Sequence, residues 1–260
     1  MKHYIVGPYP PPIGGISSYI YRYKKKLESE GQKVEVIDNT DKSTRLRIRN
    51  SLKLIIAPKD TRIQINTYDF YSIVAVLLRF LPGHVSFIHH GHGVFDRFGI
   101  IKKCIFNLLL KRVDECVYVN PVLVDHYRKL GFAPHSSKMR VQSAYLPPPM
   151  EDEESIWRSY ESATLEFFKN KRPLLIANAY SLTFRRGVDL YGLDMCVILI
   201  AELKKHYPNI GLLFALADIG NNDYYNEMLN RIENYGISSN IHFMTGQKQL
   251  WPLFQVANLM

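Results

Sequence analysis

An α/β fold with parallel, doubly wound sheets is the architecture that this sequence predicts, and three observations carry it. Short apolar runs alternate with amphipathic helical patterns along the chain, as in sheets built from strand–helix–strand crossovers. A glycine-rich turn links the first apolar run, Tyr4-Ile5-Val6, to the first helical pattern through Gly7-Pro8, Pro10-Pro11-Pro12 and Gly14-Gly15. A second proline run, Pro147-Pro148-Pro149, divides the alternation into two blocks.

In the first block, strands are expected at 3–7, 33–38, 62–66, 84–89, 115–119 and 139–146. Each is a short apolar run of the kind that suits a pleated, buried surface. Helices are expected at about 16–30, 69–81, 97–111 and 121–130. The first carries Ile16, Tyr19, Ile20, Tyr23 and Leu27 at helical spacing. Residues 42–57 stay ambiguous, because Leu46, Ile48, Leu52, Leu54 and Ile55 fit neither period cleanly. After the prolines, Glu151-Asp152-Glu153-Glu154 suit the positive end of a helix running to about Phe168. A second alternation follows: strand 173–179, helix 193–206, strand 210–217, helix 222–235, strand 241–246 and a helix start at 249–258. The expected organisation is a domain at 1–146, a connector at 147–172 and a second domain at 173–260. Six strand signals against three make the second domain look incomplete. Exposed apolar surface is therefore expected around Leu250, Leu253, Phe254 and Leu259.

The chain has 260 residues, of which 47% are hydrophobic and 12% aromatic, ample for a packed core and against global disorder. Cys104, Cys116 and Cys196 show neither a disulfide framework nor a zinc spacing, which fits a reducing cytosol. The start of the chain lacks the pattern of a signal peptide. The longest apolar segment, Ser72 to Ile88, is interrupted by Arg79 and Pro82-Gly83 and does not read as a membrane span. The net charge of +9 is uneven: residues 1–150 hold 23 Lys and Arg against 11 Asp and Glu, and residues 151–260 hold 10 against 13. The first half is thus expected to meet something anionic.

Candidate site residues follow from chemistry. Gly14 and Gly15 open a helix after a strand, where backbone N–H groups can face an anion; a plain tight turn is the alternative. His89, His90 and His92 flank Gly91 and Gly93 at a strand end. A His-x-His metal site, an active-site imidazole and a polar loop are the readings, and strand alternation sends His89 to the side opposite His90. Arg22, Lys24, Lys25 and Lys26, with Arg45, Arg47, Arg49 and Lys53 beyond, form either a solvated face or a contact for anionic headgroups. Nucleic acid is not expected, because Tyr19, Tyr21 and Tyr23 sit where a helix packs rather than where bases stack. Asp218 and Gly220 are more readily turn formers than cleft residues.

Several segments together resemble the GT-B glycosyltransferases, and among them the retaining family 4. GPYPPPIGGIS looks like that family's first glycine-rich loop. VSFIHHGHGVF (85–95) is similar to the strand ending in its active-site His-Gly. ECVYVNPVLVDHYRKLGF (115–132) resembles the last strand–helix pair of its acceptor domain. Residues 174–220 and 240–260 resemble the opening of its donor domain and the part before its donor-binding core.

The resemblance implies two Rossmann-like units, the second incomplete. It implies transfer of a sugar from a nucleotide diphosphate sugar to a glycan or lipid-linked acceptor in surface polysaccharide synthesis, without metal or cofactor. His90 would hydrogen-bond the donor sugar, and Gly14 and Gly15 would face the diphosphate. Arg185 and Arg186 lie near the family's phosphate-binding basic pair but precede its position, and Tyr191-Gly192 stands where Lys-Gly is usual. The family's Glu-x7-Glu segment, which holds ribose and sugar, is missing. Glu153 and Glu161 have that spacing but lie in the connector. The alternative reading is a non-catalytic fragment, or half of a split enzyme completed by a second chain. The expected location is the cytoplasm, peripheral on the inner face of the membrane.

Overall fold

A computed structural model describes residues 2–91, 98–132 and 136–257, and the chain divides after Pro148 into two compact units. The first unit runs β1 (Lys2–Gly7), α1 (Gly15–Ser29), β2 (Lys33–Asp38), α2 (Thr44–Ile55), β3 (Thr61–Ile65), α3 (Phe70–Leu77), β4 (His84–His89), α4 (Ile100–Arg112), β5 (Glu115–Tyr118), α5 (Pro121–Lys129) and β6 (Met139–Val141). Its sheet has the order β2-β1-β3-β4-β5-β6, and every neighbouring pair is parallel.

Side chains alternate across this sheet. Tyr4, Val6, Ile63, Ile65, Val85, Phe87, Cys116 and Tyr118 belong to one core, shared with Leu54 of α2, Ile73 and Val76 of α3, Phe106 of α4 and Tyr127 of α5. On the opposite side α1 packs Ile20 and Leu27 against Ile5, Val34 and Val36. The chain therefore leaves β1 towards one face and β3 towards the other. Residues 42–57, ambiguous in the sequence, contain α2. Leu54 is its buried residue, while Ile48 and Leu52 are half exposed, which is why no clean apolar stripe shows. β6 ends at Val141, short of the expected 146.

Arg79, which breaks the apolar segment in the sequence, is buried just beyond α3. Its guanidinium donates to the carbonyls of Leu54, Ala57, Pro58 and Pro82. A buried cation is tolerable when main-chain oxygens take up its donors in this way. Gly83 leaves it room, since a Cβ there would lie 2.9 Å from Arg79 Nη2.

The second unit runs α6 (Glu153–Arg158), α7 (Ser162–Asn170), β7 (Leu174–Ala179), the short strands β8 (Phe184–Arg185) and β9 (Val188–Asp189), α8 (Leu193–Lys204), β10 (Gly211–Leu216), α9 (Asn222–Asn234), β11 (Ile241–Thr245) and α10 (Trp251–Val256). Its parallel sheet has the order β11-β10-β7. One side of the sheet packs on α8 and α9 through Val197, Ile200, Met228 and Ile232. The other packs on α6, α7 and α10 through Ile156, Tyr160, Ile176, Leu213 and Leu253.

Two expectations change here. Residues 147–172 are not a separate connector: α6 and α7 are part of the second unit's core, and the single helix expected to reach Phe168 is two, broken at Ser159–Glu161. The expected exposed patch is also not seen among the described residues. Leu253 is fully buried and Leu250 and Phe254 pack against the same cluster; Leu259 lies outside the described residues. The packing of α10 on α6, which the sequence did not suggest, covers them.

His89 closes β4 on the core side. Its ring stacks on Tyr118 at 4.4 Å and meets Tyr127 edge-on at 4.3 Å and Phe87 at 4.6 Å. Neither ring nitrogen has a hydrogen-bond partner, and burial holds its pKa well below the usual histidine value. A folded state that prefers neutral imidazole loses stability once pH falls below the unfolded value of about 6.5. His89→Phe removes the unpaired polar group and roughly conserves volume. We expect it to melt at or above the wild-type temperature at pH 7 and to lose less stability between pH 7 and 5. Melting curves across that range check this; an unchanged acid slope would count against it.

Candidate functional site

The first unit has a switch point between β1 and β3, where the connections leave towards opposite faces. Ligands of open parallel sheets bind in the crevice beyond the carboxyl ends of such strands. Three segments converge there: the loop from Gly7 to Gly14, Asn66 just after β3 and His90 just after β4.

α1 begins at Gly15 with Gly14 as its N-cap, in extended backbone at φ −150°. Ser17 Oγ accepts from Gly14 N at 2.8 Å and lies 2.6 Å from the Pro12 carbonyl, to which it donates. This ties the proline turn to the helix start. A Cβ on Gly15 would meet nothing within 4 Å, and one on Gly14 only Ser17 Oγ at 3.9 Å. The two glycines thus border open space at the positive end of a 15-residue helix.

Gly7 plays the structural part. Its φ is +156°, and a Cβ would come to 2.6 Å from Ile20 Cδ1 and 3.1 Å from Asn66 Cβ. α1 and the end of β3 close on this point, and Asn66 N donates to Val6 O at 2.7 Å.

His90 faces the side opposite His89, as strand alternation requires. Its Nε2 lies 3.0 Å from Asn66 Oδ1, and its ring meets Tyr19 of α1 edge-on at 5.0 Å. Gln64 Nε2 donates to the same Asn66 Oδ1 at 3.3 Å and to Tyr19 OH at 3.4 Å. Burial lowers the His90 pKa to about 4, so the imidazole is neutral at pH 7. Asn66 is almost fully buried and its Nδ2 has no partner. Asn66 and Gln64 went unnoticed in the sequence. The usable signal is a pair of amides two residues apart, Gln64 and Asn66, alternating with Ile63 and Ile65 at the end of β3. His92 and Gly93 lie outside the described residues, among which no cluster of His, Cys, Asp and Glu is arranged to hold a metal.

The four basic residues of α1 do not form one outward patch. Arg22 turns inward, half-buried, and donates to Leu146 O at 2.8 Å. Lys24 pairs with Glu28 at 3.1 Å, Lys25 lies over the Tyr21 ring and Lys26 approaches Glu30 at 4.0 Å. Among the described residues no helix is long and apolar enough to cross a membrane.

In the second unit, Arg185 and Arg186 are exposed on the hairpin joining β8 to β9. Arg186 and Gly187 have φ of 55° and 80°, a two-residue turn with both central residues left-handed. The hairpin is anchored by Asp189. Its carboxylate accepts from Tyr191 N at 3.0 Å, Leu193 N at 2.7 Å and Tyr224 OH at 2.9 Å, capping α8. This turn and its anchor were not foreseen. Asp218 forms a turn, accepting from Gly220 N at 3.0 Å.

The chain is similar in structure to Anabaena Alr3699/HepE in complex with UDP and glucose, with a TM-score of 0.61 and 13% identity over 100% of this chain and 73% of that one. It is similar to a glycosyltransferase from Rickettsia africae ESF-5 (0.57, 14%, 99% and 72%). It is also similar to a UDP-N-acetylglucosamine 2-epimerase from Rickettsia bellii (0.50, 11%, 99% and 72%). No protein-family model and no curated protein matches it. At these identities the likeness shows the fold, two Rossmann-like units of the GT-B class.

Gly7→Ala tests how the first unit is assembled. The added methyl collides with Ile20 and Asn66, and we expect a loss of about 1–3 kcal/mol. Gly15→Val, with open space around its Cβ, should melt within about 1 kcal/mol of wild type. Thermal melts of the two variants decide this. Equal losses would mean that Gly7 is not where α1 and β3 meet.

Proposed function

We propose that the chain is a nucleotide-sugar-dependent glycosyltransferase that transfers a sugar to a glycan or lipid-linked acceptor. The observation that carries this reading is the convergence, at one switch point, of a helix N-terminus opened by Gly14 and Gly15 with a neutral imidazole fixed at the end of the neighbouring β4. Backbone N–H groups and the helix dipole suit a diphosphate, and they can stabilise it as a leaving group. A neutral imidazole suits a sugar hydroxyl. The fold neighbours solved with UDP and glucose make a nucleotide sugar the natural ligand to test. Arg185 and Arg186 are proposed as further diphosphate contacts.

The retaining family 4 subtype is the finer form of this reading. Its Glu-x7-Glu pair has no counterpart in residues 173–260. Turnover by these 260 residues alone is therefore expected to be slight, and to rise when a second chain supplies those carboxylates. Calorimetry with UDP-glucose tests the binding step. We expect saturable binding that Gly15→Val weakens at least tenfold while its melting temperature holds. No binding of UDP, UDP-glucose or another nucleotide sugar would overturn the proposal.

The acceptor side is proposed to work at an anionic membrane surface in the cytoplasm, through Lys24, Lys25 and Lys26 rather than the inward-facing Arg22. Exposed charges are screened over about 10 Å at 0.1 M salt. Vesicles containing anionic lipid should thus bind the chain at low salt and release it as salt rises. Changing the three lysines to Glu should weaken binding. Equal binding to neutral vesicles would remove the membrane from the proposal.

A further inference from the structure

We propose that Asn66 is a positioning residue that fixes the tautomer of His90, so that His90 presents a lone pair on Nδ1 and selects a hydroxyl donor on the ligand. The inference deepens the functional reading above and rests on it for the identity of the ligand.

The orientation of two amides, Gln64 and Asn66, decides the direction of each bond. Gln64 Nε2 can only donate, and it reaches both Asn66 Oδ1 and Tyr19 OH. With the Gln64 and Asn66 amides oriented this way, the Asn66 oxygen is the atom facing His90, at 3.0 Å from Nε2. An oxygen there accepts, so Nε2 carries the proton. A neutral imidazole has one proton to place, and Nδ1 is left as an acceptor. An acceptor nitrogen pairs with a hydroxyl and repels an anionic oxygen. Of the groups on a nucleotide sugar, this imidazole thus faces a sugar hydroxyl, and the diphosphate is left to the start of α1.

Asn66 is itself held firmly. Its N–H is bonded to Val6 O at 2.7 Å, its side chain is almost fully buried, and Gly7 gives its Cβ room. Tyr19, edge-on to His90 at 5.0 Å, limits rotation of the ring from the α1 side. Four elements, β1, α1, β3 and β4, thus hold one side chain, as a positioned contact requires.

The tautomer can be read directly. In chain labelled with 15N-histidine, with His90 assigned by its loss in His90→Gln, long-range proton–nitrogen correlations should show Nε2–H and an unprotonated Nδ1 at pH 7. Asn66→Ala should shift His90 to a mixture of tautomers or to Nδ1–H, whereas Asn66→Asp, which keeps the acceptor, should preserve Nε2–H. Nδ1–H in the wild-type chain, or an Asn66→Ala spectrum identical to wild type, would overturn the proposal. Asn66→Ser, smaller but still polar, replaces Asn66→Ala if that variant does not fold. UDP-glucose affinity separates the two readings. Correct tautomers with no nucleotide sugar binding leave the positioning role standing and remove the functional reading. Binding unaffected by Asn66→Ala, despite a changed tautomer, removes the claim that His90 selects a hydroxyl.

Discussion

The close approach at Gly7 is the constraint on which the first unit's site depends. A side chain at this residue would occupy the space that Ile20 fills from α1 and Asn66 fills from the end of β3. Because Gly7 has none, α1 settles deeply enough for Tyr19 to reach His90, and Asn66 N reaches Val6 O. The open glycines at 14 and 15 then stand a short turn away, with Ser17 fastening that turn to the helix. One glycine packs and two leave space, a division of labour that residue type alone does not reveal.

The adjacent histidines show how a strand separates two roles. His89 and His90 are chemically identical neighbours, but the pleat sends one into an aromatic cluster and the other to the switch point. Burial makes both neutral. What distinguishes them is partnership: Asn66 holds His90, whereas nothing polar holds His89. The consequence of burial is therefore structural at His89 and chemical at His90.

Much of the fold was legible because parallel sheets write themselves into the sequence as short apolar runs separated by helices. Tyr4-Ile5-Val6, Leu174–Ala179 and Gly211–Leu216 lie in strands where the pattern put them. The rest depended on contacts between distant residues. α2 has a single buried side chain, Leu54, so its period was faint. The hairpin from Phe184 to Asp189 is held by a carboxylate that reaches Tyr224, 35 residues away. Of the site, Gly14, Gly15 and His90 were visible as residue types in context. Asn66 was not, because its importance lies in being 24 residues from His90 in sequence and one hydrogen bond away in space. The basic run on α1 was visible as charge, but the inward turn of Arg22 to Leu146 depends on a partner more than a hundred residues on.

The one-sided helix cover of the first sheet has an evolutionary consequence. Four helices bury one face, while α1 lies on the other over β1 and β2. Beyond α1, that second face carries His3, Arg62, Gln64, Ser86, Glu115 and Arg140, which line a polar cavity of 320 Å³. Position parity thus separates core residues from cavity-lining ones, except under α1, where Ile5, Val34 and Val36 are packed on the second face too. Along β4, residues 85, 87 and 89 are locked by neighbours of fixed volume, whereas His84 and Ser86 border the cavity. A lineage can rewrite a position such as His84 without repacking the interior, whereas Gln64 is tied to Asn66 and Tyr19 and Glu115 is paired with Arg140. Drift in this unit should therefore concentrate where strand residues border the cavity rather than pack under α1, leaving a surface that changes faster than the scaffold beneath it.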